Sequence, residues 1–273
     1  MTIKVKISKV LNLILPGLSY EEKIFSKESR KLAFATYPEN FGRALVLIEF
    51  IDMCKSRFDK KEKLNVALIG GYESEPEIKV LNLLNITFEL NIYGIEEGMR
   101  YFDLNVENKR NPNLNDHYDL ILCSQVWEHI WNHNQAMTNI YDLMSIDTIL
   151  WLACPTSNRP HSSPNYYTAG FTLEYLQLNL QLHNFAILGG GQLGTRRNYR
   201  ATHTIPKWLS VKGHLFPPIW AFSDKNFIKR SFLSLRYFLR NFDLLFFSRK
   251  VTSDVRCATE TWVCAMREDS IRE

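Results

Sequence analysis

The chain has 273 residues, of which 45% are hydrophobic and 23% charged, with 33 basic against 29 acidic side chains. This composition is ordinary for a folded protein with a sizeable core. No apolar run approaches the roughly 20 residues that a membrane-spanning helix needs. The short apolar stretch at 10–15 is ended by Pro16 and Gly17. The sequence therefore predicts neither a membrane anchor nor a signal peptide.

Positive charge is concentrated in one late segment. Residues 192–258 contain 13 basic and 3 acidic side chains, whereas residues 1–191 contain 18 and 22. A local excess of this size indicates a segment with a role of its own. We therefore predict an N-terminal helical extension (1–60), a main folded domain (61–191 with 259–273) and a basic, aromatic-rich insertion or cap at 192–258.

The five cysteines are scattered and form no CxxC pair. This pattern argues against a disulfide framework and against a cysteine-ligated zinc site. Cys123, Cys154 and Cys264 each lie within an apolar run, so we expect reduced, buried thiols at these positions. The cysteine usage predicts a cytoplasmic protein.

Helices and short apolar strands are predicted to alternate along the chain. Apolar residues at helical spacing indicate that 20–58 is largely helical. The pattern then predicts strands at 64–69, 86–95, 118–124, 148–154, 185–188 and 261–266, and helices at 77–84, 126–144 and 172–182. This alternation favours an α/β fold with a mostly parallel sheet and helices on both faces. Such sheets bind ligands at the carboxyl ends of their strands, near the point where strand order reverses.

The residues at those strand ends resemble a known family. The ordered segments VALIGG, YGIE, FDLN, YDLILCSQVWEHI and LWLACP resemble the motifs of class I S-adenosylmethionine-dependent methyltransferases. The resemblance covers residues 64–190 and the last strand. It implies a Rossmann-like methyltransferase sheet, mostly parallel with an antiparallel last strand, and S-adenosylmethionine as the cofactor.

The resemblance also implies which residues bind this cofactor. Gly70 and Gly71 stand in the turn after the first strand, where glycine lets backbone N–H groups approach the methionine part of the cofactor. Glu96, after the second strand, matches the acid that binds the ribose hydroxyls, and Asp103 matches the residue that reads the adenine amine. The set is completed by Leu104, Ser124 and Gln125.

The glycine-rich turn departs from the family pattern. The family usually has an acidic residue shortly before the first glycine and more glycines after it, whereas this chain has Leu68, Tyr72 and Ser74 there. A non-catalytic scaffold with a methyltransferase fold is therefore one alternative. A nucleotide-sugar-binding enzyme on a similar sheet is another.

Two histidines are candidates for the chemistry. The resemblance places His129, in the Glu-His pair, beside the reaction centre, and His161 in a proline-containing loop as a candidate general base. A purely structural role is an open alternative for each. Tyr166 and Tyr167 follow His161 and are candidate substrate contacts. His129 and His133 stand four apart on a predicted helix, but no third ligand is evident, and we predict no metal site.

The basic segment fits an acidic or membrane-bound partner, and solvent-exposed basic side chains without a binding role are the open alternative. Arg196 and Arg197 follow a run of glycines, and guanidinium groups suit a phosphate or carboxylate, so both are candidate substrate contacts. Within 225–250, apolar residues recur at helical spacing with Lys and Arg on another face. That pattern fits a cap packed on the domain, a peripheral membrane contact or a docking helix for a protein. No recognition motif supports nucleic acid as a partner.

Together these features predict a methyltransferase that transfers a methyl group to an oxygen atom, with nitrogen as the alternative. The expected acceptor is a sugar or another small polar molecule, with a phosphate-bearing acceptor as one option. Cell-surface glycan biosynthesis is the expected context.

Overall fold

The computed structural model describes residues 27–36, 41–58, 60–107, 117–157, 166–193 and 260–271. His161, Arg196, Arg197 and the segment 225–250 lie outside these residues. The division of the chain into an extension, a domain and an insertion stays a prediction.

The described helices and strands alternate in chain order. They are α1 (Lys27–Thr36), α2 (Phe41–Phe58), β1 (Leu64–Ile69), α3 (Pro76–Leu83), β2 (Phe88–Gly94), β3 (Arg100–Tyr101), β4 (Leu120–Ser124), a 3-10 turn (Trp127–His129), α4 (His133–Leu143), β5 (Ile149–Pro155), α5 (Leu173–Leu182), β6 (Phe185–Leu193), β7 (Glu260–Arg267) and a second 3-10 turn (Glu268–Ile271). None of the helices in this described part of the chain is long and apolar enough to cross a membrane.

The strands form one seven-stranded sheet in the order β3-β2-β1-β4-β5-β7-β6. Strands β1 to β5 pair in parallel, whereas β7 runs antiparallel to both β5 and β6. This topology confirms the predicted fold class, a mostly parallel Rossmann-like sheet with an antiparallel last strand. Strand order reverses between β1 and β4, and the carboxyl ends of these two strands mark the expected binding edge.

Helices cover both faces of the sheet, as predicted. Successive side chains of a strand point to opposite faces. On β1, Val66 and Leu68 pack in a core that includes residues of α2 and α3. Ala67 and Ile69 pack in a second core that includes residues of α4 and α5. Two apolar layers therefore hold the sheet rigid and place its carboxyl edge between them.

A buried ion pair joins α2 to α3. Arg43 donates from Nε to Oε1 of Glu77 at 2.6 Å and from Nη2 to Oε2 at 2.7 Å, and Glu77 is fully buried. The same Nη2 donates to Oε2 of Glu75 at 3.1 Å. Pro76 occupies the first turn of α3, where its missing N–H is not needed. The pair thus fixes where α3 begins, directly behind the turn that follows β1.

The helix predicted over 126–144 is wrong in its first part, because the chain forms a 3-10 turn and then breaks before α4. At the break, the backbone N–H groups of Trp131 and Asn132 donate to Oδ1 of Asn105 at 2.9 and 3.2 Å. A side chain from a distant loop therefore replaces the carbonyls that a continuous helix would supply.

Strand β6 extends to Leu193, beyond the end predicted at 188. Its glycines pair with β7, with Gly191 opposite Trp262. A Cβ atom on Gly191 would lie 3.2 Å from Nε1 of Trp262, so glycine permits this close approach. The run of glycines is thus part of a strand rather than a turn.

Cys123, Cys154 and Cys264 are buried free thiols, as predicted from their apolar surroundings. Burial raises the pKa of each of the three thiols. These thiols therefore stay protonated at neutral pH.

Candidate functional site

A cleft of ≈ 520 Å³ opens at the carboxyl ends of β1, β2 and β4. This size is within the range of small-molecule sites. Among the residues predicted to form the site, those that line the cleft are Gly70, Glu96, Asp103, Leu104, Gln125, His129 and Tyr167. The remaining lining comes largely from side chains that the sequence did not single out for a site, including Phe102, Asn105, Ile130 and Trp131.

Gly70 forms part of the floor of the cleft. Its φ is +69°, a left-handed conformation that glycine adopts at little cost. A Cβ atom at this position would lie 2.5 Å from Cγ2 of Val126. Gly71 is buried and does not line the cleft, and a Cβ atom there would lie 2.9 Å from Cγ of Glu75. The two glycines therefore differ, because only Gly70 presents its backbone to the cleft.

Tyr72 and Glu96 meet across the mouth of the cleft. The Tyr72 hydroxyl donates a hydrogen bond to Oε2 of Glu96, and both residues line the cleft. This hydrogen bond is the main reason that the pKa of Tyr72 is raised. The hydroxyl therefore stays protonated at neutral pH and acts as the hydrogen-bond donor to the carboxylate. The sequence marked Tyr72 as a departure from the family's glycine pattern, but gave no sign of its partner.

Hydrogen bonds fix the loop that carries Asp103 and Leu104. Oδ1 of Asp103 accepts from the backbone N–H of Asn105 at 2.8 Å, which orients the carboxylate. Nδ2 of Asn139, on α4, donates to the carbonyl oxygens of Leu104 at 3.2 Å and Val106 at 2.8 Å. Asn139 is not among the residues that the sequence predicted for the site. The sequence does contain a signal for it, because Asn139 is a polar residue at the helical spacing of the buried apolar residues of α4.

Ser124 and Gln125 end β4 in different ways. Ser124 is buried, and its Oγ has no hydrogen-bond partner within the described part of the chain. Gln125 has a φ of +58°, which is uncommon for a residue other than glycine. Its N–H donates to the carbonyl of Ala153 at 2.8 Å, and its Nε2 donates to Oε2 of Glu260 at 2.8 Å. Gln125 thus connects the cleft to the start of β7.

The turn that carries His129 packs against the loop that carries the two candidate tyrosines. His129 lines the cleft, and its ring meets the ring of Tyr166 edge-on with centroids 5.9 Å apart. The backbone N–H of Tyr167 donates to the carbonyl of Glu128 at 2.9 Å. Burial, with the nearby Glu128 charge, raises the pKa of Tyr166. Tyr166 is not among the lining residues, so it reaches the site through His129.

His133 lies apart from this group. Its ring stacks on Trp127 with centroids 5.5 Å apart. Nε2 donates to the carbonyl of Trp127 at 3.3 Å, and Nδ1 accepts from the Tyr175 hydroxyl at 3.1 Å. The placement of His129 and His133 on one helix was wrong, because the chain leaves the helical path between them. Within the described ranges, no group of three or more His, Cys, Asp or Glu side chains is placed to hold a metal ion.

No protein-family model matches the chain, and no curated protein matches it. Several solved structures are similar in architecture. The (4+2)-cyclase SpnF is 11% identical, with a TM-score of 0.49 over 96% of this chain and 93% of that chain. An O-methyltransferase from a trans-AT polyketide synthase of Brevibacillus brevis, in complex with S-adenosyl-L-homocysteine, is 13% identical, with a TM-score of 0.47 over 93% and 84%.

Coclaurine N-methyltransferase, bound to N-methylheliamine and S-adenosylhomocysteine, is also 13% identical, with a TM-score of 0.45 over 97% of this chain and 88% of that chain.

Proposed function

We propose that this protein is an S-adenosylmethionine-dependent methyltransferase that acts on an oxygen atom of a small polar acceptor. The observation that carries the proposal is that Gly70, Glu96 and Asp103 converge on one cleft. That cleft lies where the strand order of the sheet reverses. In a sheet of this kind, ligands bind at that point.

The residues of the cleft fit an adenosyl cofactor. Gly70 leaves its backbone accessible, and the exposed Glu96 carboxylate can accept hydrogen bonds from two ribose hydroxyls. The oriented carboxylate of Asp103 can accept from an exocyclic amine. Between these polar groups, Phe102, Leu104 and Ile130 contribute apolar wall surface suited to a flat ring.

When bound, the cofactor supplies a methyl group on a sulfonium, which is already activated for transfer to a nucleophile. The task of the protein is to hold the acceptor atom in line with that methyl group and to take up the proton that the acceptor atom loses. His129 lines the cleft, and the nitrogen atoms of an imidazole suit the role of base. His161 is the second candidate base and lies outside the described residues.

A sugar or a similar ring-containing molecule is the acceptor that we propose. Trp131 and Tyr167 line the cleft and are 60% and 51% exposed. Exposed aromatic rings bury the apolar face of a ring-shaped ligand and still leave its hydroxyls solvated. Arg196 and Arg197 are the proposed contacts to a phosphate-bearing acceptor, and glycan biosynthesis is the proposed context.

Thermal unfolding with and without S-adenosylhomocysteine, the demethylated cofactor, tests this proposal. Ligand at about 100 times its dissociation constant should add about 2.7 kcal/mol to the free energy of unfolding, which raises the melting temperature measurably. A uridine diphosphate sugar serves as the comparison ligand. A shift with the sugar nucleotide alone would favour a nucleotide-sugar enzyme. No shift with either ligand at millimolar concentration would favour a non-catalytic scaffold.

A further inference from the structure

The segments that carry Tyr72 and Glu96 leave the sheet side by side. Ile69, the last residue of β1, pairs with Tyr93 of the neighbouring parallel strand β2. The backbone N–H of Gly70 continues this pairing and donates to the carbonyl of Tyr93 at 2.8 Å. The loop after β1 therefore starts next to the loop after β2, and a long side chain from one can reach the other.

A hydrogen bond to Glu96, rather than burial in a core, holds the Tyr72 side chain over the cleft. The backbone at Tyr72 is fixed by a turn in which the N–H of Glu75 donates to its carbonyl at 3.0 Å. The side chain itself is 53% exposed, and its hydroxyl donates to Oε2 of Glu96. An exposed tyrosine ring turns about two side-chain torsions, so it can leave the cleft without a change in the fold.

We propose that Tyr72 is a gating residue of the adenosyl site. Its hydroxyl occupies, on Oε2 of Glu96, the position that a ribose hydroxyl of the cofactor takes when it binds. This inference rests on the proposed function, because it assigns Glu96 to the ribose. Binding then exchanges one hydrogen bond for another, and the tyrosine ring must swing aside before the ribose can reach both carboxylate oxygens.

The exchange has a measurable consequence. A ligand that displaces Tyr72 forfeits a hydrogen bond that the free protein already makes. The net contribution of one such bond corresponds to a factor of about two to ten in an equilibrium constant. Tyr72→Phe removes the competing hydroxyl and keeps the ring, so the variant should bind S-adenosylhomocysteine about two- to tenfold more tightly than the wild type does.

Isothermal titration calorimetry with S-adenosylhomocysteine tests the gate in five forms of the full chain. These are the wild type, Tyr72→Phe, Glu96→Ala, the double variant Tyr72→Phe/Glu96→Ala, and Tyr175→Phe. Tyr175→Phe is the matched control, since it also removes a partly exposed tyrosine hydroxyl that bonds to a side chain, but on α5 and away from the cleft. We expect tighter binding for Tyr72→Phe alone, and no effect of Tyr72→Phe in the Glu96→Ala background.

Two results would overturn the proposal that Tyr72 is a gating residue, while leaving the proposed function intact. In the first, the wild type binds S-adenosylhomocysteine, and Tyr72→Phe binds it with equal or weaker affinity. The other is a gain in affinity that persists when Glu96 is alanine, which would mean that Tyr72 acts without its partner. If the wild type does not bind S-adenosylhomocysteine at all, the proposed function fails and the gate fails with it.

Discussion

Gly70 lies so close to Val126 that a methyl group on its α-carbon would come within 2.5 Å of Cγ2 of Val126. Real Cβ atoms do not tolerate this distance, and the φ of +69° at Gly70 disfavours any side chain independently. The turn after β1 therefore packs directly on the segment that follows β4. This contact brings together the two strand ends between which the sheet reverses its order.

Replacing Gly70 by alanine should destabilise the protein by about 2–5 kcal/mol, the combined cost of the left-handed backbone and the overlap with Val126. Gly98→Ala is the matched control, because Gly98 also has a positive φ, of +87°, but a Cβ there would meet nothing within 4 Å. Gly98→Ala should lower the free energy of unfolding only by the cost of a left-handed backbone, about 1–2 kcal/mol. Urea denaturation measures both, and equal costs would contradict the proposed overlap.

Glu96→Ala should weaken the binding of S-adenosylhomocysteine by about 1–3 kcal/mol, as expected when charge-assisted hydrogen bonds to the ribose are lost. Glu97→Ala is the control, since the neighbouring carboxylate is exposed and does not line the cleft. Calorimetric titration of each variant gives the dissociation constants. An unchanged constant for Glu96→Ala would remove the assignment of this residue to the ribose.

Arg43→Ala should destabilise the protein by about 3–5 kcal/mol, because it leaves the fully buried carboxylate of Glu77 without its counter-charge. The control is Lys63→Ala, which breaks a pair with Glu89 whose side chains are 53% and 62% exposed. An exposed pair of this kind contributes about 0–1 kcal/mol. The free energies of unfolding in urea should separate the two variants, and similar values would show that the buried pair is not needed for the fold.

The pKa of His133 is lowered, chiefly by burial, so the folded protein binds a proton here less readily than the unfolded chain does. The stability of the wild type should therefore fall as the pH drops below the unfolded value of about 6.5. The loss is complete below the folded pKa. Protonation also converts Nδ1 to a donor, which ends its acceptance of the Tyr175 hydroxyl.

His133→Phe tests this expectation, because phenylalanine keeps a ring against Trp127 but cannot titrate. Lowering the pH from about 7.5 to 5 should lower the unfolding free energy of the wild type relative to that of the variant. The reason is that protonation of His133 destabilises only the wild type. Urea denaturation at both pH values isolates this residue from the other histidines. A difference that does not change with pH would show that His133 titrates alike in the folded and unfolded chains.

Much of the sheet could be predicted from the sequence because its strands are short, apolar and bounded by turn residues. The prediction for β1 matched its observed span of Leu64–Ile69, and β4, β5 and β7 were placed to within two residues at each end. Glu96 and Asp103 were singled out by a different route, the resemblance of their segments to methyltransferase motifs. Gly70 and Glu96 lie just beyond β1 and β2, and Asp103 lies just beyond β3, at the edge where a parallel sheet collects its ligand contacts.

Local features could be predicted from the sequence, namely which segments form strands and helices and which residues stand at their ends, because hydrophobic periodicity and turn chemistry act over a few residues. Which of those ends meet depends on tertiary contacts. Asn105 breaks the helix at Trp131, Asn139 fixes the loop at Leu104, and Tyr72 binds Glu96, and each of these contacts joins residues more than 20 positions apart. Such contacts depend on strand order and on packing from both faces of the sheet, which no local pattern encodes.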